Sequence, residues 1–442
     1  MSADSAHAAP EVFPHPFTQE SPRAKFLAAT ANGHALFVFQ SATLPFTACS
    51  AAGPVRIEVN VEGVHFAKAA VKPLRLGIVP EVDGASIRFT IERPMDVLLE
   101  LDDRPALFIF CSGHEQPDVT PGQPRVHYFA AGRVHEAGEI EIGSGETVYI
   151  EAGAVLRGCI HARDARGIRI AGQGVLDGSF FKRGKGTARH PILLEHCEDV
   201  VIEGITIIDP SRWTCRMDSC RGVRISGLRE ITRGGGSDGI DVVSCTDVLI
   251  ERCFLCTGDD AIVIKAIDVH AADGWNTDID NIVVNGCSLL VMDCGSALEI
   301  GHELRTASVR NITFRDCDIL AVHGHGAAMS IRAGDRAIVS DVRYENIRVD
   351  HYYAHLVDFR VMRSRYNRDP QRGQIRTVHL KNVRVKQSPY NAGYSTSLIG
   401  GYNAEHTVEG VVFEDVYLDD ERVMCGDQLD LHVKQAKDIE FR

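Results

Sequence analysis

The chain has 442 residues, 44% hydrophobic and 24% charged, with a mean hydropathy of −0.07. That composition excludes disordered and fibrous classes, and the length exceeds what one hydrophobic core usually holds, so two domains or an elongated repetitive one are expected. Lys+Arg 47 against Asp+Glu 60 gives −13 with no basic run, which excludes a nucleic-acid partner held by phosphate neutralisation. No apolar run is long enough for a membrane span.

The N-terminus, MSADSAHAAPEVFPHPF, has neither a basic n-region nor an apolar h-region. Thirteen cysteines lie mostly beside Val and Ile, without paired metal-ligand spacing; Cys253 and Cys256 form a lone CxxC. They read as buried, reduced thiols. The expected location is therefore cytoplasmic, with no metal and no cofactor. Residues 1–15 are small, polar and Pro-containing, and are expected to fray.

Residues 16–125 carry short β-rich runs at Ala35–Phe39, Val55–Val61, Leu74–Val79, Ser86–Ile91, Val97–Leu101 and Ala106–Cys111. Their spacing predicts a small β-sandwich with no clustered catalytic side chains. Val134–Ile142 is expected to cap the start of the C-terminal domain.

Beyond residue 140 a phrase recurs: aliphatic-x-aliphatic-x-(Gly/Asn/Asp/Arg). It appears at Ile168, Val200, Val223, Val248, Ile282, Ile312, Val342, Val378 and Val411, at intervals from 23 residues (Val200 to Val223) to 36 (Val342 to Val378). Each phrase points two branched residues inward at period two and then supplies a residue suited to a corner. Residues 126–442 are therefore expected to form a right-handed parallel β-helix of about ten coils. The leucine framework of leucine-rich repeats and the amphipathic helices of a TIM barrel are both missing. The fold class is all-β.

Ser237-Asp238-Gly239-Ile240-Asp241 and Gly258-Asp259-Asp260-Ala261-Ile262 each open a short apolar strand. Asp238 precedes Asp259 by 21 residues, about one coil, so these two are expected to stack, with Asp260 turning into the same groove. Carboxylates about 4.8 Å apart cannot all ionise freely, and a shared proton equips such a group for acid and base work on a glycosidic bond.

These motifs, with Asp209-Pro-Ser-Arg-Trp213-Thr before them and Ala297-Leu-Glu-Ile-Gly301 after, resemble the polygalacturonase-type glycoside hydrolase family 28. The resemblance implies hydrolysis of an α-glycosidic bond with inversion of a carbohydrate substrate, Asp259 as general acid and Asp238 with Asp260 activating water. The layout of a β-sandwich before the solenoid is similar to dextranases and isopullulanases. Three departures stand out: Gly236 replaces an Asn; the Gly-His-Gly motif falls on Cys294-Gly295-Ser296-Ala297; and Arg-Ile-Lys falls on Ser330-Ile331-Arg332. Losing one guanidinium removes a bidentate partner for a uronate carboxylate.

The expected substrate-binding set is Trp213, Asp241, Lys265, Glu299, His302 and Arg332. His302 or His325 is placed to replace the missing imidazole, and Tyr352, Tyr353, Tyr366, Tyr390 and Tyr394 to rim the cleft. Gly234-Gly235-Gly236 lacks a phosphate-loop context and reads as close backbone approach to the groove. Two rivals remain open: a polysaccharide lyase or epimerase using Lys265 or Arg332, and an inactive carbohydrate-binding solenoid.

Overall fold

The structure, a computed structural model, describes residues 11–114, 116–184, 186–267, 277–386 and 395–442. Among them regular structure is strand, apart from short 3-10 turns such as Leu74–Leu76 and Gly178–Phe180. Two compact units emerge: the described residues up to Pro121 with Ala130–Val134 and Glu151–Val155, and the remainder to Arg442.

The first unit is a β-sandwich of a six-stranded and a five-stranded sheet. Strict alternation along Val55–Val61 turns Val55, Ile57, Val59 and Val61 to one side, where they join Val97, Leu99, Leu107 and Ile109 of the other sheet in a shared core. Val55–Val61, Ser86–Ile91 and Val97–Leu101 are strands at the expected bounds. Leu74–Val79 is not a strand. Its neighbour Ala69–Lys72 is, and Pro73, lacking an N–H, ends the ladder before a 3-10 turn. The expected frayed end is also shorter than read, because Val12–Pro14 pairs antiparallel with Pro45–Ala51.

The second unit is a parallel β-helix: a 31-stranded sheet in which most strands pair with the third one after them, and those near either end with the second. Val134–Glu141 is a strand of this sheet and not a separate cap. The recurring phrase lies in strict register, with Ile170, Ile202, Ile225, Ile250, Val284, Phe314, Tyr344, Leu380 and Phe413 stacked one above another. The corner after it holds Gly204, Gly227, Arg252, Gly286, Asp316, Asn346, Asn382 and Asp415, all at positive φ. That left-handed turn selects Gly, Asn and Asp there.

All thirteen cysteines are free thiols, and eleven are buried. At one corner Cys197, Cys220 and Cys245 stack: the N–H of Cys197 donates to the sulfur of Cys220 at 3.4 Å, and that of Cys220 to Cys245 at 3.3 Å. Cys294 is half-buried and Cys425 exposed, so the reading of uniformly buried thiols fails at these two.

Candidate active site

One wall of the helix holds the expected site residues. Its successive strands are Ile192–Glu195, Cys215–Asp218, Ile240–Val243, Ile262–Ala266, Leu298–Leu304, Ala327–Ala333 and His355–Val361. Alternate residues such as Ile240, Val242, Ile262, Ile264, Leu298 and Ile300 fill the core. The others form an outward row in register: Leu193, Arg216, Asp241, Val263, Glu299, Ser330 and Asp358. From Asp241 to Asp358 this row is fully buried, and its carboxylates are held by Lys265 and Arg332.

Pairing of Ile240 with Ile262 sets the aspartates. Asp238 and Asp260, each two residues earlier, occupy equivalent places on adjacent coils, and the Gly239 N–H donates to the Asp260 carbonyl at 2.9 Å. Asp238 is thus stacked with Asp260, and not with Asp259 as the 21-residue count suggested. Asp259 turns toward the preceding coil, where its Oδ2 accepts the Gly236 N–H at 2.6 Å. Asp260 turns toward the following one, its Oδ1 accepting the Ser296 N–H at 2.7 Å. Asp238 and Asp260 are buried, while Asp259 is half-exposed.

Close backbone packing holds this arrangement. A Cβ on Gly258 would lie 2.2 Å from the Gly234 nitrogen, and one on Gly295 2.3 Å from the Asp260 nitrogen. Only glycine fits at either place. The triple glycine therefore serves the approach expected of it.

Burial and like charge dominate the electrostatics. Burial, then Glu299, pushes Asp260 up to about 7. Burial raises Asp241 to about 6, and Asp238 well above its ordinary range, against the pull of Lys265. The Lys265 ammonium donates to Asp238 Oδ2 at 2.6 Å and Asp241 Oδ1 at 3.0 Å. Burial alone would lower it, but these carboxylates outweigh burial and hold it well above the usual lysine range. Its Nζ also lies 3.9 Å from the ring centroid of Trp213, which Arg216 approaches at 5.2 Å.

Further along, Arg332 donates through Nε to Asp358 at 2.8 Å and lies 3.4 Å from Glu299. Neither Lys265 nor Arg332 is a free arm reaching for a ligand. His302 lies 3.5 Å from Arg332 and 5.5 Å from the Tyr366 ring centroid. Burial, then Arg332, lowers it to about 4, so it stands neutral. His325 is exposed and makes an isolated backbone bridge with Cys294. The motif expected to carry a histidine instead puts the Ser296 amide on Asp260 and the Cys294 thiol beside Asp259. Burial, then Asp259, pushes that thiol up to about 12 and keeps it protonated.

Tyr353 and Tyr366 are exposed, whereas Tyr352 is buried and cannot rim a cleft. Tyr390 and Tyr394 lie outside the described residues. Among the buried carboxylates that the sequence reading did not single out are Asp358 under Arg332; Asp335, which accepts the N–H groups of Leu304, Arg368 and Asp369 to pin the loop holding Tyr366; and Glu230, packed behind Gly239 and strongly raised by burial. A polar residue inside an apolar strand was the available signal for Asp358.

Comparison with known proteins identifies the family. The model of glycosyl hydrolases family 28 matches residues 133–425. A probable polygalacturonase of Arabidopsis thaliana is 26% identical over 196 residues, 42% of this chain and 39% of the relative. One from Vitis vinifera is 32% identical over 111 residues, 24% and 21% of the two chains. The chain thus spans about two fifths or less of the length of these curated relatives. Among solved structures, Dex49A from Penicillium minioluteum aligns over 97% of this chain and 96% of its own, with 11% identity and a TM-score of 0.62. The polygalacturonase from Erwinia carotovora ssp. carotovora aligns over 70% and 87%, with 16% identity and a TM-score of 0.54. These two share the fold. With its family match covering the aspartates, the groove strands and most of the coils, the chain belongs to glycosyl hydrolases family 28.

Proposed function

We propose that this protein is a glycoside hydrolase that cleaves an α-linked polysaccharide or oligosaccharide with inversion, using Asp238, Asp259 and Asp260. The observation that carries the reading is the opposed orientation of neighbouring carboxylates, Asp259 toward Gly236 and Asp260 toward Ser296. An inverting site needs its acid and base far enough apart to admit water, about 6.5–9.5 Å. Asp259 and Asp260 sit side by side on one coil, and their turns toward opposite neighbouring coils separate the acid from that base.

In this mechanism Asp259, the member open to the groove, protonates the leaving oxygen. Asp238 and Asp260 hold a water between adjacent coils and take its proton. Lys265 opposes the burial that raises Asp238 and Asp241, without outweighing it. Glycan meets the accessible parts of Trp213 and His302, whereas Asp241 and Glu299, expected to bind it, are fully buried beneath, Glu299 held by Arg332.

Elimination by a lyase or epimerase is disfavoured. A lysine base must lose its proton near neutral pH, and Lys265, held by two carboxylates, is raised instead. Arg332 is likewise raised and committed to Asp358.

The test is release of reducing ends from a panel of galacturonan, rhamnogalacturonan, dextran and pullulan fragments, with Asp259→Asn as control. Turnover on at least one, reduced about 10²–10⁴-fold or more in the variant, is expected for loss of a general acid. Equal turnover by both proteins would overturn the assignment.

A further inference from the structure

The amide that grips Asp259 belongs to Gly236, the last of three glycines in a row, and such a run is the backbone most costly in entropy to hold in one shape. Its shape is set locally. The Ser237 hydroxyl donates to the Gly234 carbonyl at 2.6 Å and the Ser237 N–H to the same oxygen at 3.2 Å, closing a turn. Those bonds travel with the turn and do not fix where it sits over Asp259.

Its place is set from two coils away. The Gly234 N–H donates to Asp293 Oδ2 at 2.8 Å, and Arg233 Nε lies 3.3 Å from Asp293 Oδ1. Residues 233–236 precede the strand Ile240–Val243, residues 258–260 precede Ile262–Ala266, and Asp293 precedes Leu298–Leu304, so three successive coils are involved. Coils are about 4.8 Å apart, and the bond to Asp293 therefore passes over the middle one. It can do so because Gly258 has no side chain: a Cβ there would lie 2.2 Å from the same Gly234 nitrogen.

The residues after Asp293 bear on the same place. The Cys294 N–H donates to the Gly258 carbonyl at 2.9 Å and the Ser296 N–H to Asp260 Oδ1 at 2.7 Å. One short segment thus reaches Asp260 directly and Asp259 through the glycine turn. Arg233 is 59% exposed, and an ion pair so open to water contributes little. What Asp293 supplies is an acceptor oxygen for the Gly234 N–H.

We propose that Asp293 is a positioning residue for the general acid: by accepting the Gly234 N–H it holds the triple-glycine turn where the Gly236 amide orients the Asp259 carboxyl toward the leaving oxygen. This rests on the hydrolase reading above and adds a residue that touches neither substrate nor the reacting atoms. A catalytic group displaced by about 1 Å can lose up to 10²-fold in rate, so an anchor this far from the chemistry still governs turnover.

The test compares full-length wild type, Asp293→Ala and Asp293→Asn by kinetics on the galacturonan, rhamnogalacturonan, dextran or pullulan fragment that wild type cleaves, and by hydrogen exchange of the peptide spanning residues 234–238. In Asp293→Ala, kcat should fall about tenfold or more with KM changed under about threefold, and exchange at 234–238 should quicken about tenfold while the other coils keep wild-type protection. Asp293→Asn keeps an acceptor oxygen without the charge and should return both readouts to within about threefold of wild type. Wild-type kcat in Asp293→Ala, equal losses in the two variants, unchanged exchange at 234–238, or faster exchange in every coil would overturn the proposal. A wild-type protein that cleaves none of the fragments would remove the hydrolase reading, and local exchange quickened in Asp293→Ala and restored in Asp293→Asn would then leave the tether standing.

Discussion

Lys265 Nζ lies 2.6 Å from Asp238 Oδ2, and both side chains are about nineteen-twentieths buried. A buried ion pair is held together by the cost of stranding either partner. Here it ties one coil's aspartate to the next coil's strand, so the cation sets the protonation of the groove as well as its shape.

Replacing that cation should therefore act on pH dependence. In Lys265→Met the field that lowers Asp238, Asp241 and Asp260 is lost, so all three rise further. The acidic limb of kcat/KM, set by these interacting carboxylates at apparent values near 6 to 7, should move to higher pH. Stability at pH 7 should fall by about 3–5 kcal/mol, as expected when a buried charge is left unpaired. An unmoved limb in the pH profile would mean that Lys265 does not govern these groups.

Asp260→Asn should separate stability from function. A carboxyl raised from 3.8 to about 7 on folding binds more protons folded than unfolded between those values. Its contribution is thus fully favourable below pH 3.8 and is lost as pH rises through 7. Neutralising it should raise stability at pH 8 by roughly 1–4 kcal/mol and have little effect near pH 3.5, while activity is lost. Denaturant melts at both pH values check this; a variant less stable than wild type at pH 8 would contradict it.

Gly258→Ala tests how Asp259 is held. The added methyl would sit 2.2 Å from the Gly234 nitrogen, so backbone must shift at the Gly236 contact that orients Asp259. A stability loss of about 1–3 kcal/mol is expected, with a larger fall in kcat than rise in KM. Wild-type kinetics would show that the close approach is dispensable.

The solenoid was legible because its signal repeats. The phrase from Ile168 to Asp415 carries both the inward pair and the left-handed corner, and the stack of Ile170 through Phe413 follows that phrase. The sandwich was less legible: Leu74–Val79 has β composition, but Pro73 cuts the ladder before it. In the site, residue counting brought three aspartates to one place yet chose the wrong stacking partner. Register is set by Ile240 and Ile262, and a one-residue slip exchanges Asp259 for Asp260. Partners such as Asp358 for Arg332 lie 26 residues apart across coils, and no local pattern announces them.

The most direct measurement is the anomeric configuration of the first product, followed by proton NMR during cleavage of an α-linked oligosaccharide by the wild-type protein. Opposed Asp259 and Asp260, with water held between coils, predict that the β-anomer appears first and then mutarotates. First appearance of the α-anomer would mean that the carboxylates act at the closer, retaining separation, and would contradict the mechanism.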